Sequence, residues 1–516
     1  MTINAAAKDL TIAVIGTGTM GRGIVQVSAQ GGSPMGPMRV IAYDEKPGGA
    51  QAAKDYIAKV LGGLVEKGRL TAAEVAATLD RITVASNIAE VAFADVVIEA
   101  IIERIDIKQD LFAKLDAICK PGVILASNTS SLAVTAIAAK CKHPERVAGL
   151  HFFNPVPVMK LVEVIGGLKT EPWVTDALMT IGQRMTREPV LCIDSPGFIV
   201  NHAGRAMAEA PRLRVDNIAS HEEIDRILTG APGFKLGPFA LADMVGMDVG
   251  FAVMESFFQQ YYGEPAYAPN PLTALRSAGG LYGQKTGRGW YDYKDGKRIE
   301  TPLATTPAKT TTPIWVKPSP HHPELQAPLI KILQASGVPI ETGKAPSPDA
   351  ITLLTPIGFD LTTAIQDLKL DATRAVAVDV LFGMKGPRTL MITPATDPAI
   401  RDAVHAALGG DGQPVIAIND SPGFVAQRVV AMIVNVGCTI AQRAIASPAD
   451  IDKAVKLGLG YPFGPLEWGD LIGPKRILHI LECLETFYGD PRFRASPWLK
   501  RRVMLGLPLS APEVRR

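Results

Sequence analysis

Short apolar runs alternate with helical segments in the N-terminal part of the chain. Residues 10–15 form an apolar run of β-strand type, residues 19–30 have a helical pattern, and residues 39–43 return to a strand that ends before Asp44. The pattern predicts further strands, with helical segments such as 107–115 between them, at residues 81–84, 96–99, 123–127, 147–150 and 161–164. Strands that alternate with helices predict a mostly parallel, doubly wound sheet.

The pattern changes after the pentapeptide DSPGF at residues 194–198. Helical stretches at residues 198–215, 221–229 and 246–262 predict an all-α domain. Residues 301–323 are rich in Thr and Pro, a composition that favours extended backbone and predicts a linker. An α/β-like stretch over residues 313–417 follows, and DSPGF then returns unchanged at residues 420–424.

The second pentapeptide belongs to an internal repeat. The Gly-Pro pair at 237–238 matches that at 464–465, and Asp243 matches Asp470 at a nearly constant offset. A second all-α copy is therefore predicted. We expect a Rossmann-type domain at 1–193, a helical domain at 194–295, a linker at 296–323, a degenerate α/β segment at 324–419 and the helical copy at 420–516.

Composition narrows the possible partners. The 516 residues are 47% hydrophobic and 20% charged, with 53 Lys+Arg against 51 Asp+Glu, which argues against disorder and against a nucleic-acid partner. The longest uncharged apolar stretch, at 429–440, is shorter than the ~20 residues of a membrane span. Residues 1–10 lack the pattern of an export signal, so a cytoplasmic location is expected. The five cysteines are scattered singly, and no metal site is predicted.

A glycine motif, GTGTMG at residues 16–21, lies between the first strand and the first helix. In this context the glycines permit a tight turn, a close approach of pyrophosphate and close helix–strand packing. Asp44 ends the second strand, where its carboxylate accepts hydrogen bonds from a ribose diol and repels a 2′-phosphate. NAD is therefore favoured over NADP, and residues 31–38 are interpreted as a small insertion. The predicted cofactor-binding residues here are Gly16, Gly18, Thr19, Met20, Gly21 and Asp44.

His151 follows a predicted strand, at the edge of the sheet where ligands bind in α/β folds. A single histidine in an apolar run is more often a core residue, but Glu163 places a carboxylate in the next apolar run, where burial is costly unless the charge is paired. A pair of His151 and Glu163 would fix the imidazole tautomer and stabilise the imidazolium. Residues 127–131, SNTSS, offer short polar side chains for a substrate oxygen, or alternatively a helix N-cap.

These segments resemble the 3-hydroxyacyl-CoA dehydrogenase family, in its long bacterial form with a duplicated C-terminal helical domain. The resemblance covers about residues 10–293, and its motifs occur in the family's order: GTGTMG, VIEAIIE, ASNTSSL, GLHFFNPVPVMKLVEVI, DSPGFIVN and GQKTGRGWYDY. It implies a Rossmann-type domain that binds NAD and a helical domain that closes over the acyl chain.

The resemblance also implies roles for individual residues. His151 would be the general base and Glu163 its partner, while Ser130 and Asn201 would hydrogen-bond the substrate oxygen. The family positions near the cofactor are matched by Glu103, Lys108 and Asn154. The implied reaction converts an (S)-3-hydroxyacyl-CoA to the 3-ketoacyl-CoA, in fatty acid β-oxidation or related acyl-CoA metabolism.

The second copy lacks these catalytic residues. Aligning the two pentapeptides puts Gln427 in the place of Asn201. Reading backward puts Val380, or Asp379 with a one-residue shift, opposite His151. The same alignment places Ile392 opposite Glu163 and Phe359 opposite Ser130. We therefore expect one active site and one NAD per chain, in a monomeric pseudo-dimer or a homodimer.

Two other functions fit the same motifs. A dehydrogenase of a free hydroxy acid, of the gulonate type, would use a similar proton relay. A requirement for CoA would fit basic residues such as Lys54 and Lys59, although these also suit an exposed helix face. The second possibility is a non-catalytic NAD-binding structural protein.

Overall fold

The computed structural model describes residues 3–32, 35–303, 305–308, 311–320 and 322–513. Four residues of the predicted linker (Ala304, Lys309, Thr310 and His321) and two of the predicted insertion (Ser33 and Pro34) lie outside the described residues. The chain forms two compact units. The first contains the residues up to His202 together with Arg443–Leu459, and the second contains Ala203–Gln442 together with Gly460–Arg516.

The first unit is built on a doubly wound sheet of strand order β3-β2-β1-β4-β5-β6-β7-β8. Its strands are β1 Thr11–Ile15, β2 Arg39–Tyr43, β3 Ile82–Val84, β4 Val96–Glu99, β5 Ile124–Ser127, β6 Val147–Phe152, β7 Leu161–Gly166 and β8 Glu188–Ile193. Its helices are α1 Thr19–Gln30, α2 Gly49–Glu66, α3 Ala72–Asp80, α4 Ile105–Ile118, α5 Val134–Ile137 and α6 Pro172–Arg184, and α7 Val200–Ala203 begins in it. The predicted fold class is confirmed for this domain.

The order of the strands places a ligand crevice. The strand order reverses at β1 and β4, whose parallel register pairs Ile12 with Val96. Crossover helices leave such a point toward opposite faces, so a crevice opens beyond the carboxyl ends of the two strands. Residues that follow β1, β4 and β5 therefore face a common ligand site.

Two strands differ from the parallel pattern. β6 and β7 pair antiparallel, because residues 153–160 alone connect them and a parallel crossover needs a dozen residues or more. β8, which the apolar pattern did not predict, has the sequence EPVLCI with Glu188, Leu191 and Ile193 exposed. A half-exposed strand that contains a proline is typical of the edge of a sheet.

A segment of the second helical copy completes the first unit. Residues 443–459, which include the helix Pro448–Leu459, pack against β7 and β8. The Ile193 amide donates to the carbonyl of Ile445 at 2.9 Å. A Cβ on Gly458 would lie 2.8 Å from Val200 and 2.9 Å from Leu161, so glycine permits this close packing.

The second unit contains a sheet of order β12-β11-β13-β14-β15-β16, a short hairpin and several helices. Its strands are β9 Tyr293–Lys294, β10 Lys297–Arg298, β11 Ile314–Val316, β12 Ile340–Glu341, β13 Ile351–Leu354, β14 Ala375–Val378, β15 Arg388–Ile392 and β16 Val415–Asn419. Its helices are α8 Glu209–Val215, α9 His221–Gly230, α10 Pro238–Val245, α11 Met247–Gln260, α12 Pro271–Ala278, α13 Pro323–Ser336, α14 Leu361–Leu368, α15 Pro398–Gly409, α16 Ala426–Gln442, α18 Pro465–Ile472, α19 Pro474–Tyr488 and α20 Pro497–Leu505. The helix Pro448–Leu459 of the first unit is α17. β11 lies inside the expected linker, because its residues Ile-Trp-Val are buried in this sheet.

The helical copies are also less regular than the apolar pattern predicts. The stretch 198–215 is α7, a 3-10 segment Gly204–Ala208 and α8, because Gly204 weakens the helix and Pro211 has no N–H to continue the hydrogen-bond ladder. The apolar stretch 429–440 lies in α16, which packs against α18, α19 and α20 and is buried almost throughout. Among the described helices, none has the length and apolarity to cross a membrane.

Candidate active site

The glycine loop after β1 has the geometry of a pyrophosphate cradle. Gly16 has φ +83°, and a Cβ there would lie 2.8 Å from the Ala100 carbonyl oxygen. A Cβ on Gly21 would overlap the carbonyl oxygen of Gly16, whereas a Cβ on Gly18 would meet open space. Gly18 therefore leaves room for a ligand at the N-terminus of α1, which Thr19 and Met20 begin. The loop fits the NAD cofactor.

Asp44 follows β2 and faces the same loop. Its Oδ2 accepts hydrogen bonds from the Thr17 amide at 2.6 Å and the Thr17 hydroxyl at 2.8 Å, and its Oδ1 accepts from the Lys46 amide at 3.0 Å. Burial raises the pKa of Asp44, but these hydrogen bonds outweigh burial and hold the pKa below its usual value. The carboxylate is therefore ionised at neutral pH, as a residue that excludes a 2′-phosphate must be.

A buried ion network lies at the carboxyl ends of β4 and β5. The Lys108 ammonium contacts Glu99 Oε1 at 2.6 Å and Glu103 Oε2 at 3.2 Å, and the Ser127 hydroxyl donates to Glu99 Oε2 at 2.7 Å. Glu99 and Lys108 are fully buried. The family resemblance implied Glu103 and Lys108, whereas Glu99 was not predicted, although a carboxylate at the end of the apolar run VVIE indicates a buried charge that needs a partner.

Glu103 organises the loop after β5. Its Oε1 accepts from the Thr129 hydroxyl at 2.6 Å, the Ser130 amide at 3.0 Å, and the amide and hydroxyl of Ser131 at 3.2 and 3.0 Å. Burial raises the pKa of Glu103, but Lys108 and these donors lower it further than burial raises it. An ionised carboxylate thus fixes the backbone at Ser130.

His151 and Glu163 lie directly opposite each other on the antiparallel strands β6 and β7. The His151 Nδ1 is 2.7 Å from Glu163 Oε2, and both side chains are buried. The other oxygen, Oε1, accepts from the amides of Ile199 and Val200 at 2.9 and 3.0 Å. The carboxylate therefore holds Nδ1 in its protonated form and leaves Nε2 as the atom that takes a proton.

Asn201 joins this site through the loop after β5. Its Nδ2 donates to the Ser130 carbonyl oxygen at 3.2 Å, and the Asn128 side chain accepts from the Phe152 amide at 2.8 Å. These contacts link Ser130 and Asn201 to the strand that carries His151. The structure thus gathers in the first unit the four residues predicted to be catalytic.

Three positions named from the sequence, Asn154, Lys54 and Lys59, stand apart from these contacts. Asn154 lies in the exposed loop after β6, where its peptide bond to Pro155 is cis. Lys54 on α2 donates to the carbonyl of Ile82 at 2.6 Å, so its ammonium supports the end of β3. Lys59 is exposed on the same helix.

The second copy repeats the scaffold of this site without its proton relay. The Asp379 amide donates to the carbonyl oxygen of Thr389. Thr389 pairs with Ile416 of β16, and Ile416 lies four residues before Asp420. In the first copy β8 pairs with Glu163 at Val190, four residues before Asp194. Asp379 and Thr389 therefore take the places of His151 and Glu163. This corrects the predicted alignment, in which Ile392 stood opposite Glu163 and Val380 was the first choice opposite His151.

Gln427 keeps the type of contact that Asn201 makes. Its Nε2 lies 3.3 Å from the carbonyl oxygen of Pro356, in the loop after β13. The strand registers set Leu354 against Ser127, so Ile357, and not Phe359 as predicted, takes the place of Ser130. The Gln427 Nε2 also donates to Asp379 Oδ1 at 2.9 Å. Burial raises the pKa of Asp379 to about 6.

A dinucleotide loop, an ionised acid after β2, and a buried histidine–carboxylate pair beside polar side chains define an NAD-dependent dehydrogenase that removes a hydroxyl proton. Comparison with known protein families identifies the family of dehydrogenases. Residues 11–195 match the 3-hydroxyacyl-CoA dehydrogenase NAD binding domain, and residues 197–293 and 423–509 match the C-terminal domain of the same enzymes. The chain belongs to the 3-hydroxyacyl-CoA dehydrogenase family, and the predicted repeat is confirmed.

Individual relatives are similar over the whole chain or over its first half. The chain is 38% identical to a 3-hydroxyadipyl-CoA dehydrogenase of Escherichia coli over 96% of its length and 98% of that protein. It is 39% identical to a 3-hydroxybutyryl-CoA dehydrogenase of Clostridioides difficile over 55% of its length and 99% of that protein. A crystal structure of a 3-hydroxybutyryl-CoA dehydrogenase from E. coli superposes with a TM-score of 0.85 at 35% identity, covering 96% of this chain and 98% of the other. The chain is an NAD-dependent 3-hydroxyacyl-CoA dehydrogenase.

Proposed function

We propose that the chain oxidises the 3-hydroxyl group of an (S)-3-hydroxyacyl-CoA at a single active site in its first half. The contact of 2.7 Å between His151 Nδ1 and Glu163 Oε2 is the observation that carries this proposal. His151 Nε2 takes the hydroxyl proton, and the Glu163 carboxylate stabilises the imidazolium that forms. Ser130 and Asn201 hydrogen-bond the oxygen of the substrate. NAD, when bound, accepts the hydride from C3.

The residues around the glycine loop suit that cofactor. Gly18 gives the pyrophosphate access to the backbone, and the Asp44 carboxylate binds the adenine ribose in this proposal. Glu103, Lys108 and Asn154 lie near the cofactor, where the ion pair of the first two fixes the loop that carries Ser130.

The second copy is structural in this proposal. Asp379 and Thr389 cannot relay a proton as an imidazole and a carboxylate do, and residues 315–371 contain no GxGxxG motif. The copy supplies α17 to the first unit and packs its own helices against those of the first copy in the second unit. We propose that this internal pseudo-dimer takes the place of a dimer partner.

The proposal is tested with purified protein and a series of substrates. NADH formation is followed with 3-hydroxybutyryl-CoA and with the corresponding free acid, which a gulonate-type enzyme would prefer. The series includes 3-hydroxyadipyl-CoA, because the E. coli relative is named as a dehydrogenase of this ester, whose acyl group ends in a carboxylate. We expect oxidation of the CoA esters and a loss of about 10²- to 10⁴-fold in His151→Ala. A folded His151→Ala variant with near-normal turnover would refute the mechanism.

Two equilibrium measurements test the single site and the pseudo-dimer separately. Titration calorimetry is expected to give one NAD per chain, and NADH is expected to bind more tightly than NADPH. Analytical ultracentrifugation is expected to show a monomer. Two NAD per chain would contradict the single site, and a stable homodimer would contradict the proposal that the second copy takes the place of a dimer partner.

A further inference from the structure

The buried ion network at the ends of β4 and β5 has one negative charge more than it has positive charges. Two of its members are carboxylates, Glu99 and Glu103, and the ammonium of Lys108 contacts both. Among the described residues, Lys108 is the one cation within 4.0 Å of either carboxylate. The Ile101 amide and the Ser127 hydroxyl also donate to Glu99, at 2.7 Å each, but they bring no charge. The network therefore carries one uncompensated negative charge.

This network lies beside the loop that receives the pyrophosphate. The Ala100 amide, which follows Glu99, donates to the carbonyl oxygen of Ile15 at 2.8 Å. The Ala100 carbonyl oxygen in turn lies where a Cβ on Gly16 would approach to 2.8 Å. Glu99 and Lys108 are almost completely buried, whereas Glu103 is partly exposed. The extra charge thus belongs to a fixed group at the wall of the ligand crevice.

The order of the strands determines which half of NAD passes this wall. Asp44 follows β2, on one side of the glycine loop, and binds the adenine ribose in the proposed function. The pyrophosphate lies after β1, at the start of α1. In the sheet, β4 and β5 follow β1 on the side away from β2 and lead to β6, which carries His151. A dinucleotide that crosses the point where the strand order reverses therefore brings its nicotinamide half past the network.

The nicotinamide ring is the part of the cofactor that changes charge in the reaction. The ring is positively charged in oxidised NAD and neutral in NADH, while the adenine, the riboses and the pyrophosphate are the same in both. A fixed negative charge nearby attracts the oxidised ring and has no net charge to attract in the reduced one. Charges buried in the protein are screened by salt much less than exposed ones. The network therefore favours the oxidised cofactor.

We propose that Glu99 sets the preference of the site for oxidised NAD over NADH. Glu99 neutralises Lys108, so that Glu103, whose hydrogen bonds fix the loop at Ser130, keeps its negative charge toward the crevice. Without the charge of Glu99, the Lys108 ammonium cancels that of Glu103. This inference rests on the proposed function, which it deepens by naming the residue that favours the form of the cofactor consumed when a hydroxyl group is oxidised.

Two variants separate the charge of Glu99 from its shape. In Glu99→Gln the side-chain oxygen can still accept from the Ile101 amide and the Lys108 ammonium, and the NH₂ group can donate to the Ser127 hydroxyl. Lys108 keeps Glu103 as its charged partner. The double variant Glu99→Gln with Lys108→Met removes one charge of each sign. It departs further from the native contacts, yet it regains the single negative charge of the wild type.

The measured quantity is the Kd of oxidised NAD divided by the Kd of NADH. Titration calorimetry gives both constants in the absence of an acyl substrate, so the measurement does not depend on turnover. Two controls accompany the variants. Ser127→Ala removes a hydrogen bond to Glu99 without changing any charge. Glu171→Gln makes the same exchange at an exposed position before α6.

Glu99→Gln should raise this ratio about tenfold, which is roughly the effect of one unit charge at about 10 Å and an effective dielectric constant of about 20. The double variant should return the ratio to the wild-type value, although it weakens the binding of both forms. Both controls should keep the wild-type ratio. An unchanged ratio in Glu99→Gln would overturn the proposal. A double variant that keeps the ratio of Glu99→Gln would overturn it as well, because the change would then follow the contacts and not the charge.

The same titrations distinguish a failure of this proposal from a failure of the proposed function. If the wild type and Glu99→Gln bind both forms with the same ratio, the role of Glu99 is overturned and the assignment of the NAD site stands. If the wild type binds neither form, the NAD site is overturned and this inference with it. Near-normal turnover in His151→Ala would refute the proton relay and leave the expected ratios as they are.

Discussion

Replacing Glu163 with glutamine tests the catalytic pair with almost no change in the shape of the site. The Glu163 Oε1 accepts from the amides of Ile199 and Val200, and a glutamine carbonyl oxygen can keep both hydrogen bonds. The glutamine NH₂ group must then face His151 Nδ1 and donate to it. The imidazole is forced into the tautomer with its proton on Nε2, which is the atom that has to accept the substrate's proton.

The size of the effect follows from the charge that is lost. The imidazolium formed in the reaction faces the Glu163 carboxylate across a contact of 2.7 Å. Two unit charges whose centres lie about 4 Å apart attract each other by about 4 kcal/mol at an effective dielectric constant of about 20. Because a tenfold change in rate corresponds to about 1.4 kcal/mol, kcat should fall roughly 10³-fold.

Steady-state formation of NADH from 3-hydroxybutyryl-CoA measures this loss. Glu171→Gln is the matched control, since Glu171 is exposed before α6 and its side chain makes no capping hydrogen bond. The control should keep wild-type kcat, and both variants should keep the wild-type affinity for NADH. If Glu163→Gln is folded, binds NADH and turns over within threefold of the wild type, the assignment of the pair is refuted.

Three further exchanges test the cofactor loop, the second copy and the packing of the two copies. Gly18→Ala should fold normally but weaken NAD binding at least tenfold by calorimetry, because its Cβ enters the open space at the loop. Gly21→Ala should instead lower Tm, because its Cβ overlaps the backbone of Gly16. Equal effects of the two variants would contradict the assignment of the loop as a pyrophosphate cradle. Asp379→Asn should raise the free energy of unfolding by up to about 3 kcal/mol above pH 6 and leave it unchanged below pH 4. The pKa of Asp379 is about 6 in the folded protein against an ordinary 3.8, so this residue destabilises the fold as the pH rises through that window. A gain confined to acid pH would contradict this. Arg428→Ala should cost about 3–5 kcal/mol in urea unfolding, because Arg428 and Glu209 form a buried pair at 2.5 Å. Arg428→Met with Glu209→Leu should recover part of this loss and not all of it, because Arg212 also contacts Glu209, at 3.2 Å, and loses that partner; a double variant as unstable as the single one would argue against this.

Local features of the chain could be predicted where one short segment carries the whole signal. Gly16, Gly18 and Gly21 predict the turn because the backbone there admits only glycine or needs open space. Asp44 follows directly from its place after an apolar strand. The pairing of His151 with Glu163 could be predicted because two short strands in sequence with a brief connection place their side chains opposite each other.

Features that depend on distant segments could not be predicted in this way. β8 is half exposed, so its apolar pattern is weak, and its partner Ala446 comes from the second copy. Glu99 was missed because its partner Ser127 becomes a neighbour only when two parallel strands end side by side, and its partner Lys108 comes from the helix that follows β4. The linker predicted at 296–323 includes β11 for a similar reason, because these three residues become a strand only beside β13.

The second copy keeps the backbone contacts around the active site but not its catalytic side chains. Asp420 accepts from the amides of Leu361 and Thr362, as Asp194 accepts from the amides at the start of α5, so the turn before each helical copy is held in the same way. Backbone contacts of this kind need only a carboxylate. A proton relay needs a base that becomes positively charged and a carboxylate that stabilises this charge, and Asp379 with Thr389 does not provide such a pair. The backbone arrangement is therefore retained although the relay is lost, and the helices that follow pack against the first copy in the second unit.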